Sequence, residues 1–245
     1  MMNEIIELKN VFFSAQEGNI IDDVSIEFMA SKTTAIVGPS GGGKSTVLKL
    51  AAGLLVPDQG EVFYKDRNIA YMNRSENMEF RREGAFVFQD SALWANQTLF
   101  QILELPLKIH YPEMSNKQRG ERIKSVTELV GYRKNLNIRP AGLSMGEQKL
   151  IAFARAMLCS PSLLFLDEWT ESLDETAADR LVDIVRRKQR EQTTILFVSH
   201  DLRLIMDLAD FVVVIIDGKL QASAPKDQII TDLLLKDFLK IGIVS

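Results

Sequence analysis

Short apolar runs broken by polar turns open the chain. Ile5-Ile6-Glu7-Leu8 and Val11-Phe12-Phe13 predict strand, Gln16-Glu17-Gly18-Asn19 a turn, and Val24-Ser25-Ile26-Glu27-Phe28 a further strand. Together they predict an antiparallel sheet. Thr33-Thr34-Ala35-Ile36-Val37 is short, apolar and β-branched, the pattern of a buried strand. After it, Val47, Leu50, Ala51, Leu54 and Leu55 recur at i, i+3, i+4, i+7 and i+8, one face of a helix. Pro57-Asp58-Gln59-Gly60 predicts a turn and Glu61-Val62-Phe63-Tyr64 a strand. Residues 66–84 are polar and rich in charge, and no element is assigned to them.

Ala85-Phe86-Val87-Phe88 predicts a short buried strand that ends in Gln89. The character then changes. Leu99–Ile109 and Lys117–Val130 show helical periodicity, with Pro106 expected to kink or end the first, so residues 90–158 are expected to form a mostly helical insertion. Near its end, Ser144 and Glu147 are spaced as a capping box. Leu150, Ile151, Ala154, Met157 and Leu158 supply the buried face of the helix it opens. Leu163-Leu164-Phe165-Leu166 is a continuous apolar run, as in a buried parallel strand, and two acids follow it, Asp167 and Glu168. A helix over 176–190 buries Ala177, Leu181, Ile184 and Val185. Strands follow at Thr194–Val198 and Phe211–Ile216, then an Asp217-Gly218 turn and an amphipathic stretch over 226–239. Strands alternating with helices predict an α/β fold with a mainly parallel sheet.

Composition narrows the class. The chain has 245 residues, 46% hydrophobic and 25% charged, which suits one large domain or a core with an insertion. A net charge of -4 argues against a general nucleic-acid binder. The single cysteine, Cys159, cannot form an internal disulfide and, with no signal peptide in view, points to the reducing cytosol. The most concentrated apolar run, Phe211–Ile216, falls far short of the roughly 20 residues a membrane helix needs. Any action at a membrane is expected to go through another chain.

The chemistry centres on Gly38-Pro39-Ser40-Gly41-Gly42-Gly43-Lys44-Ser45-Thr46, which fits the phosphate-binding pattern G-x-x-x-x-G-K-[ST] between a strand and a helix. Glycines let the backbone N–H groups close on a triphosphate. Lys44 can reach the β- and γ-phosphates, Ser45 can hold Mg²⁺, and the helix N-terminus adds its dipole. Asp167, at the C-terminal end of a core strand, is placed to reach Mg²⁺, and Glu168 to position or deprotonate a water. His200 also ends a core strand. A lone histidine is more often structural, but here it is placed to contact a γ-phosphate or a water. Ser144, read alone, is an ordinary helix cap.

In order and spacing these pieces resemble the ATP-binding cassette (ABC) transporter family, over about residues 4–225. Gly38–Thr46 is similar to Walker A, and Gln89 in Phe88-Gln89-Asp90 to the Q-loop. Leu143-Ser144-Met145-Gly146-Glu147-Gln148 is similar to the signature, and Leu163–Glu168 to Walker B with its catalytic glutamate. Ser172-Leu173-Asp174 is similar to the D-loop, and His200 to the switch histidine. The resemblance implies a P-loop NTPase (RecA-like) core with a mainly parallel sheet, an N-terminal antiparallel β subdomain, an inserted α-helical subdomain at about 90–158 and a short helical tail at 226–245. It implies ATP and Mg²⁺ as cofactors, with Gln89 joining Ser45 and Asp167 as a metal ligand and acting in catalysis beside Glu168, His200 and Lys44. It further implies a head-to-tail dimer, a homodimer or heterodimer. In it Ser144 and Gly146 face the γ-phosphate of the partner's ATP. Separate transmembrane permease chains would dock it to the cytoplasmic face of the inner or plasma membrane. A substrate-binding protein is a further candidate partner; nucleic acid is not.

Four departures from the family pattern stand out. Met145 replaces a glycine, Leu150 an arginine, and Trp169 a proline with Glu171 where a small residue is common. At the adenine-stacking position stands Ala15, and Phe13, two residues earlier on the strand, is the expected substitute. Met145 is expected to crowd the interface if its backbone needs positive φ. Phe88-Gln89-Asp90-Ser91-Ala92-Leu93-Trp94, with Leu103-Glu104-Leu105-Pro106-Leu107, is similar to the ATPase subunits of Mla-type bacterial lipid transporters. Other importers and lipoprotein-release ATPases share parts of that pattern. A regulatory cell-division-type ATPase and a slow, partly degenerate cassette are the rival readings.

Overall fold

A computed structural model describes residues 4–15 and 18–233. The first strands are β1 (Glu4–Ala15) and β2 (Gly18–Met29), paired antiparallel. The two predicted runs of β1 join into one strand across a register shift between Leu8 and Val11, where Asn10 takes φ 45°, a left-handed conformation asparagine tolerates. Of the predicted turn, Gly18 and Asn19 belong to β2; residues 16–17 lie outside the described ones. β3 (Thr33–Val37) leads into α1 (Lys44–Ala51). This helix is shorter than the apolar spacing predicts. It stops in a Schellman motif, with Leu54 N–H donating to Lys49 O and Gly53 N–H to Leu50 O, both at 2.9 Å. Leu54 therefore leaves the helical face and is 41% exposed, while Leu55 packs partly buried beyond it.

β4 (Gln59–Tyr64) and β5 (Arg67–Asn68) complete a four-stranded sheet in the order β2-β1-β4-β5. The polar segment after it holds a helix that sequence reading left unassigned, α2 (Arg74–Glu83). Its capping box, Asn73 with Glu76, was the available signal. Arg81 on α2 donates to Ala52 O at 2.8 Å and Gly53 O at 2.6 Å, satisfying carbonyls at the tail of α1.

β6 (Gly84–Val87) precedes three helices, α3 (Leu99–His110), α4 (Asn116–Leu129) and α5 (Met145–Met157), which pack on one another. Each opens with a reciprocal capping box: Thr98 with Gln101, Ser115 with Gln118, Ser144 with Glu147. Pro106 does not end α3. Leu103 and Leu107, flanking it, are fully buried, so packing outweighs one missing N–H bond. A buried Glu104 on α3 pairs with Arg119 of α4 at 3.1 Å and with Lys108 at 2.6 Å.

The remaining elements are β7 (Leu163–Asp167), α6 (Glu175–Arg190), β8 (Thr194–Val198), α7 (Leu202–Leu208), β9 (Phe211–Ile216), β10 (Lys219–Pro225) and α8 (Lys226–Leu233). Positions 234–239 of the expected amphipathic stretch lie outside the described residues. The second sheet runs β10-β9-β3-β8-β7-β6, parallel except for the β9–β10 hairpin. Two apolar cores flank it. One packs α3–α6 against one face; the other buries Val47, Leu48, Leu50 and Ala51 of α1 between the two sheets. The C-terminal ends of β3, β7 and β8 meet at the start of α1, which is where open parallel sheets bind ligands.

Candidate nucleotide site

The phosphate loop leaves β3 through Gly38, where a Cβ would lie 1.9 Å from Ile215 O; only glycine passes under β9. The loop closes on itself, with Gly42 N–H donating to Pro39 O at 3.1 Å. Above it opens a cleft of about 710 Å³, lined by Gly41, Gly43, Lys44, Ser45 and Thr46 on one side and by Ala15, Gly18, Asn19 and Ile20 on the other. Lys44 Nζ donates to Pro39 O at 2.8 Å, so the ammonium is held within the loop. Burial lowers its pKa, while Glu168 and Asp167 favour the charge.

Two oxygen donors converge behind the loop. Ser45 Oγ donates to Asp167 Oδ1 at 2.7 Å. Asp167 is buried, which raises its pKa; Ser45 and the nearby lysines work the other way. A hydroxyl and a carboxylate side by side form the hard oxygen donor set that suits Mg²⁺. Next along the chain, Glu168 is largely buried, and its Oε2 lies 3.1 Å from Nδ1 of His200, whose side chain is 66% exposed. Burial raises the Glu168 pKa, and the imidazole partly offsets it. Glu168 adopts φ 42°, a sparsely populated conformation of the kind found at functional positions.

Gln89 follows the end of β6. Its Nε2 donates to Glu171 Oε2 at 3.0 Å, and among the described residues no hydrogen bond joins it to Ser45 or Asp167. Of the three residues expected from the sequence to bind the ion, Ser45 and Asp167 are hydrogen-bonded to each other, and Gln89 is turned to Glu171. Beneath it lies a residue that sequence reasoning missed: Lys149, 3% exposed, donates from Nζ to the carbonyls of Gln89 and Glu168. Its place was legible as a lysine in line with the buried Ala152 and Phe153 at i+3 and i+4.

The signature segment stands apart from the loop, and none of its residues lines the 710 Å³ cleft. Ser144 Oγ accepts from Glu147 N–H at 3.2 Å and remains solvent-exposed. Met145 is the first residue of α5, is absent from the positive-φ positions and is 71% exposed, so the expected backbone strain does not arise. Gly146 is the constrained position, since a Cβ there would meet Ser172 O at 3.0 Å. Phe13 does not line the cleft. Register shifts on both sides of it, between Val11 and Phe13 and between Phe13 and Ser14, break the two-residue alternation. Its ring packs on the inter-sheet core while Ala15 faces the cleft. Trp169 is fully buried, 5.8 Å from the ring of Phe153, and its Nε1 has no hydrogen-bond partner among the described residues.

A phosphate loop at the C-terminal edge of a parallel sheet, a hydroxyl–carboxylate pair behind it and a histidine-supported glutamate beside it define a nucleoside-triphosphate hydrolase of the P-loop class. The model of the ABC transporter family matches residues 21–171, and the chain belongs to that family. The Haemophilus influenzae intermembrane phospholipid transport system ATP-binding protein MlaF is 31% identical over 243 residues, 98% of this chain and 92% of the relative. The Saccharolobus solfataricus glucose import ATP-binding protein GlcV is 36% identical over 91% of this chain and 64% of its own length. A dimeric post-hydrolysis structure of the ATP-binding cassette MJ0796, bound to ADP and Pi, matches with a TM-score of 0.83 at 26% identity, over 90% of this chain and 98% of that one. The protein is an ATP-binding, ATP-hydrolysing subunit of an ABC transporter. No helix among the described residues is long and apolar enough to cross a membrane.

Proposed function

We propose that this subunit powers phospholipid movement through separate membrane permease chains, as one half of a head-to-tail dimer on the cytoplasmic face of the membrane. Residues 4–225 form the ATP-binding unit, with residues 90–158 as its helical insertion. The observation that carries the dimer is the division of the site: the cleft is lined by Lys44, Ser45 and the loop glycines but by no signature residue, while Ser144 and Gly146 stand exposed or half-exposed at a capped helix end. A helix N-terminus with an exposed hydroxyl that can still donate is suited to a phosphate, and a second copy would bring one. The lipid assignment rests on the likeness to MlaF, which runs nearly the full length of both chains.

In this reading Lys44 turns from Pro39 O to the β- and γ-phosphates, and the loop N–H groups cradle them. Ser45 and Asp167 would hold Mg²⁺, and Gln89, once it leaves Glu171, would be a third ligand. Mg²⁺ held there would supply positive charge to offset that of the triphosphate. Glu168, basic for a glutamate because it is buried, orients the attacking water and accepts its proton, and His200 steadies the carboxylate. Most of the rate gain comes from such preorganised charge. The permease would dock in the apolar groove of about 580 Å³ between Phe80, Phe86, Phe88, Trp94 and Phe165, where Arg155 binds the carbonyls of Ser91 and Ala92 just after Gln89. Reconstitution with the co-purifying membrane chains tests the assignment. ATP-driven transfer of labelled phospholipid between vesicles is expected, and ATP hydrolysis stimulated by a different solute would overturn it.

A further inference from the structure

Lys149 is the one charged side chain of α5 that the described core swallows. It lies five residues after Ser144 on the same helix, and its ammonium sits between two segments of the hydrolytic site. One donor goes to the carbonyl of Gln89, where β6 gives way to the loop that follows it. Another goes to the carbonyl of Glu168 at 3.3 Å. That carbonyl also accepts the Glu171 N–H at 3.2 Å, and the Glu168 N–H donates to Val198 O at 3.1 Å. The backbone that aims the Glu168 carboxylate at φ 42° is thus fixed from three sides, and Lys149 is the only side chain among the three.

A buried ammonium is costly unless its donors are used and opposite charge is near. Here Glu171, Asp167, Asp90 and Glu168 supply that charge, although burial still lowers the pKa of Lys149. A packed apolar residue would stabilise the helix at lower cost, so the cation has a use other than holding the fold together. The sequence places it directly after the signature segment, and the structure places it against the backbones of Gln89 and Glu168.

We infer that Lys149 is a positioning residue that couples the two ends of the machinery. When Ser144 and Gly146 engage the partner's nucleotide, helix α5 carries that engagement through Lys149 to the backbones of Gln89 and Glu168 in its own chain. Each site then becomes competent only when the other is filled. This rests on the head-to-tail reading above.

The test uses the full chain with its membrane partners. Lys149→Met keeps an unbranched side chain and removes both donors; Lys149→Arg keeps the charge. Lys149→Met is expected to lower kcat at least tenfold with KM for ATP within about twofold, and Lys149→Arg to recover much of the loss. Hydrogen exchange gives a second reading. ATP should protect both the phosphate loop and the 84–93 segment in the parent protein, but only the loop in Lys149→Met. If Lys149→Met does not fold, the same readings are taken on Lys149→Gln. Unchanged kcat per bound nucleotide, with ATP protection of 84–93 retained, overturns the inference. If the parent protein itself neither hydrolyses ATP nor dimerises with it, the head-to-tail reading fails instead.

Discussion

In the phosphate loop that leads into α1 the surroundings enforce glycine: a Cβ on Gly38 would strike a β9 carbonyl at 1.9 Å, and the chain's own residues line both walls of the cleft. At the start of α5 the constraint is partial. Gly146 is pressed to 3.0 Å from Ser172 O, but Met145 projects into solvent and Ser144 binds only its own helix. Both are helix N-termini suited to phosphate. The first is a finished pocket that selects its ligand within one chain. The second is an exposed surface, which in the proposed dimer a second chain would complete. Glycine is therefore needed for geometry at Gly38 and pressed at Gly146, while the solvent-facing position of Met145 needs no glycine.

The largest break in that comparison should come at the finished end. Glu168→Gln is expected to leave nucleotide affinity within about twofold and to cut turnover by roughly 10²–10⁴, as measured by phosphate release. Its chemistry also fixes a pH dependence. Water activation needs the carboxylate, and burial raises the Glu168 pKa, so kcat should fall as pH drops through a limb above the ordinary glutamate range. His200 favours the carboxylate; His200→Ala should move that limb to higher pH, and a limb moving lower would contradict the pairing. Gly38→Ala forces side-chain volume into a filled space. Overpacking of this kind costs about 1–3 kcal/mol or more, so both denaturant stability and fluorescent-nucleotide binding should drop.

At the open end the effects should be smaller and differently placed. Ser144→Ala removes a cap worth about 1 kcal/mol. It should weaken ATP-dependent dimerisation in a Glu168→Gln background, by sedimentation, with the nucleotide affinity of the single chain unchanged. Met145→Gly should do least: kcat within about twofold, and a loss of helix stability below about 1 kcal/mol. A large rise in turnover would mean that Met145 does crowd the interface, and that a slow, degenerate cassette is the better description.

Much of this was readable before the structure, for physical reasons. Buried parallel strands such as Leu163–Asp167 and Thr194–Val198 announce themselves as unbroken apolar runs, and their C-terminal ends fix where Asp167, Glu168 and His200 must lie. Capping boxes mark the starts of both α5 and α2, but the polar character of the residues around Asn73 and Glu76 masks the second. What failed was whatever depends on local register or on partners distant in sequence. Phe13 and Ala15 share a face in an ideal strand, but register shifts around Phe13 separate them. The apolar spacing through Leu55 suggested a longer α1, yet a Schellman motif at Gly53 ends it. Lys149 and the Gln89–Glu171 bond join positions 60 and 82 residues apart, which no periodicity records.

The chain has two tryptophans. Trp169 is sealed against Phe153, and Trp94 is 46% exposed on the rim of the apolar groove. The molecule therefore carries two built-in optical probes in opposite surroundings. Iodide should quench the red-edge emission of Trp94 and leave the blue emission of Trp169. Occupation of the groove should shield Trp94, while rearrangement around Glu168 should register in Trp169, its chain neighbour. Docking and catalysis could then be timed against each other in one cuvette, with no label attached.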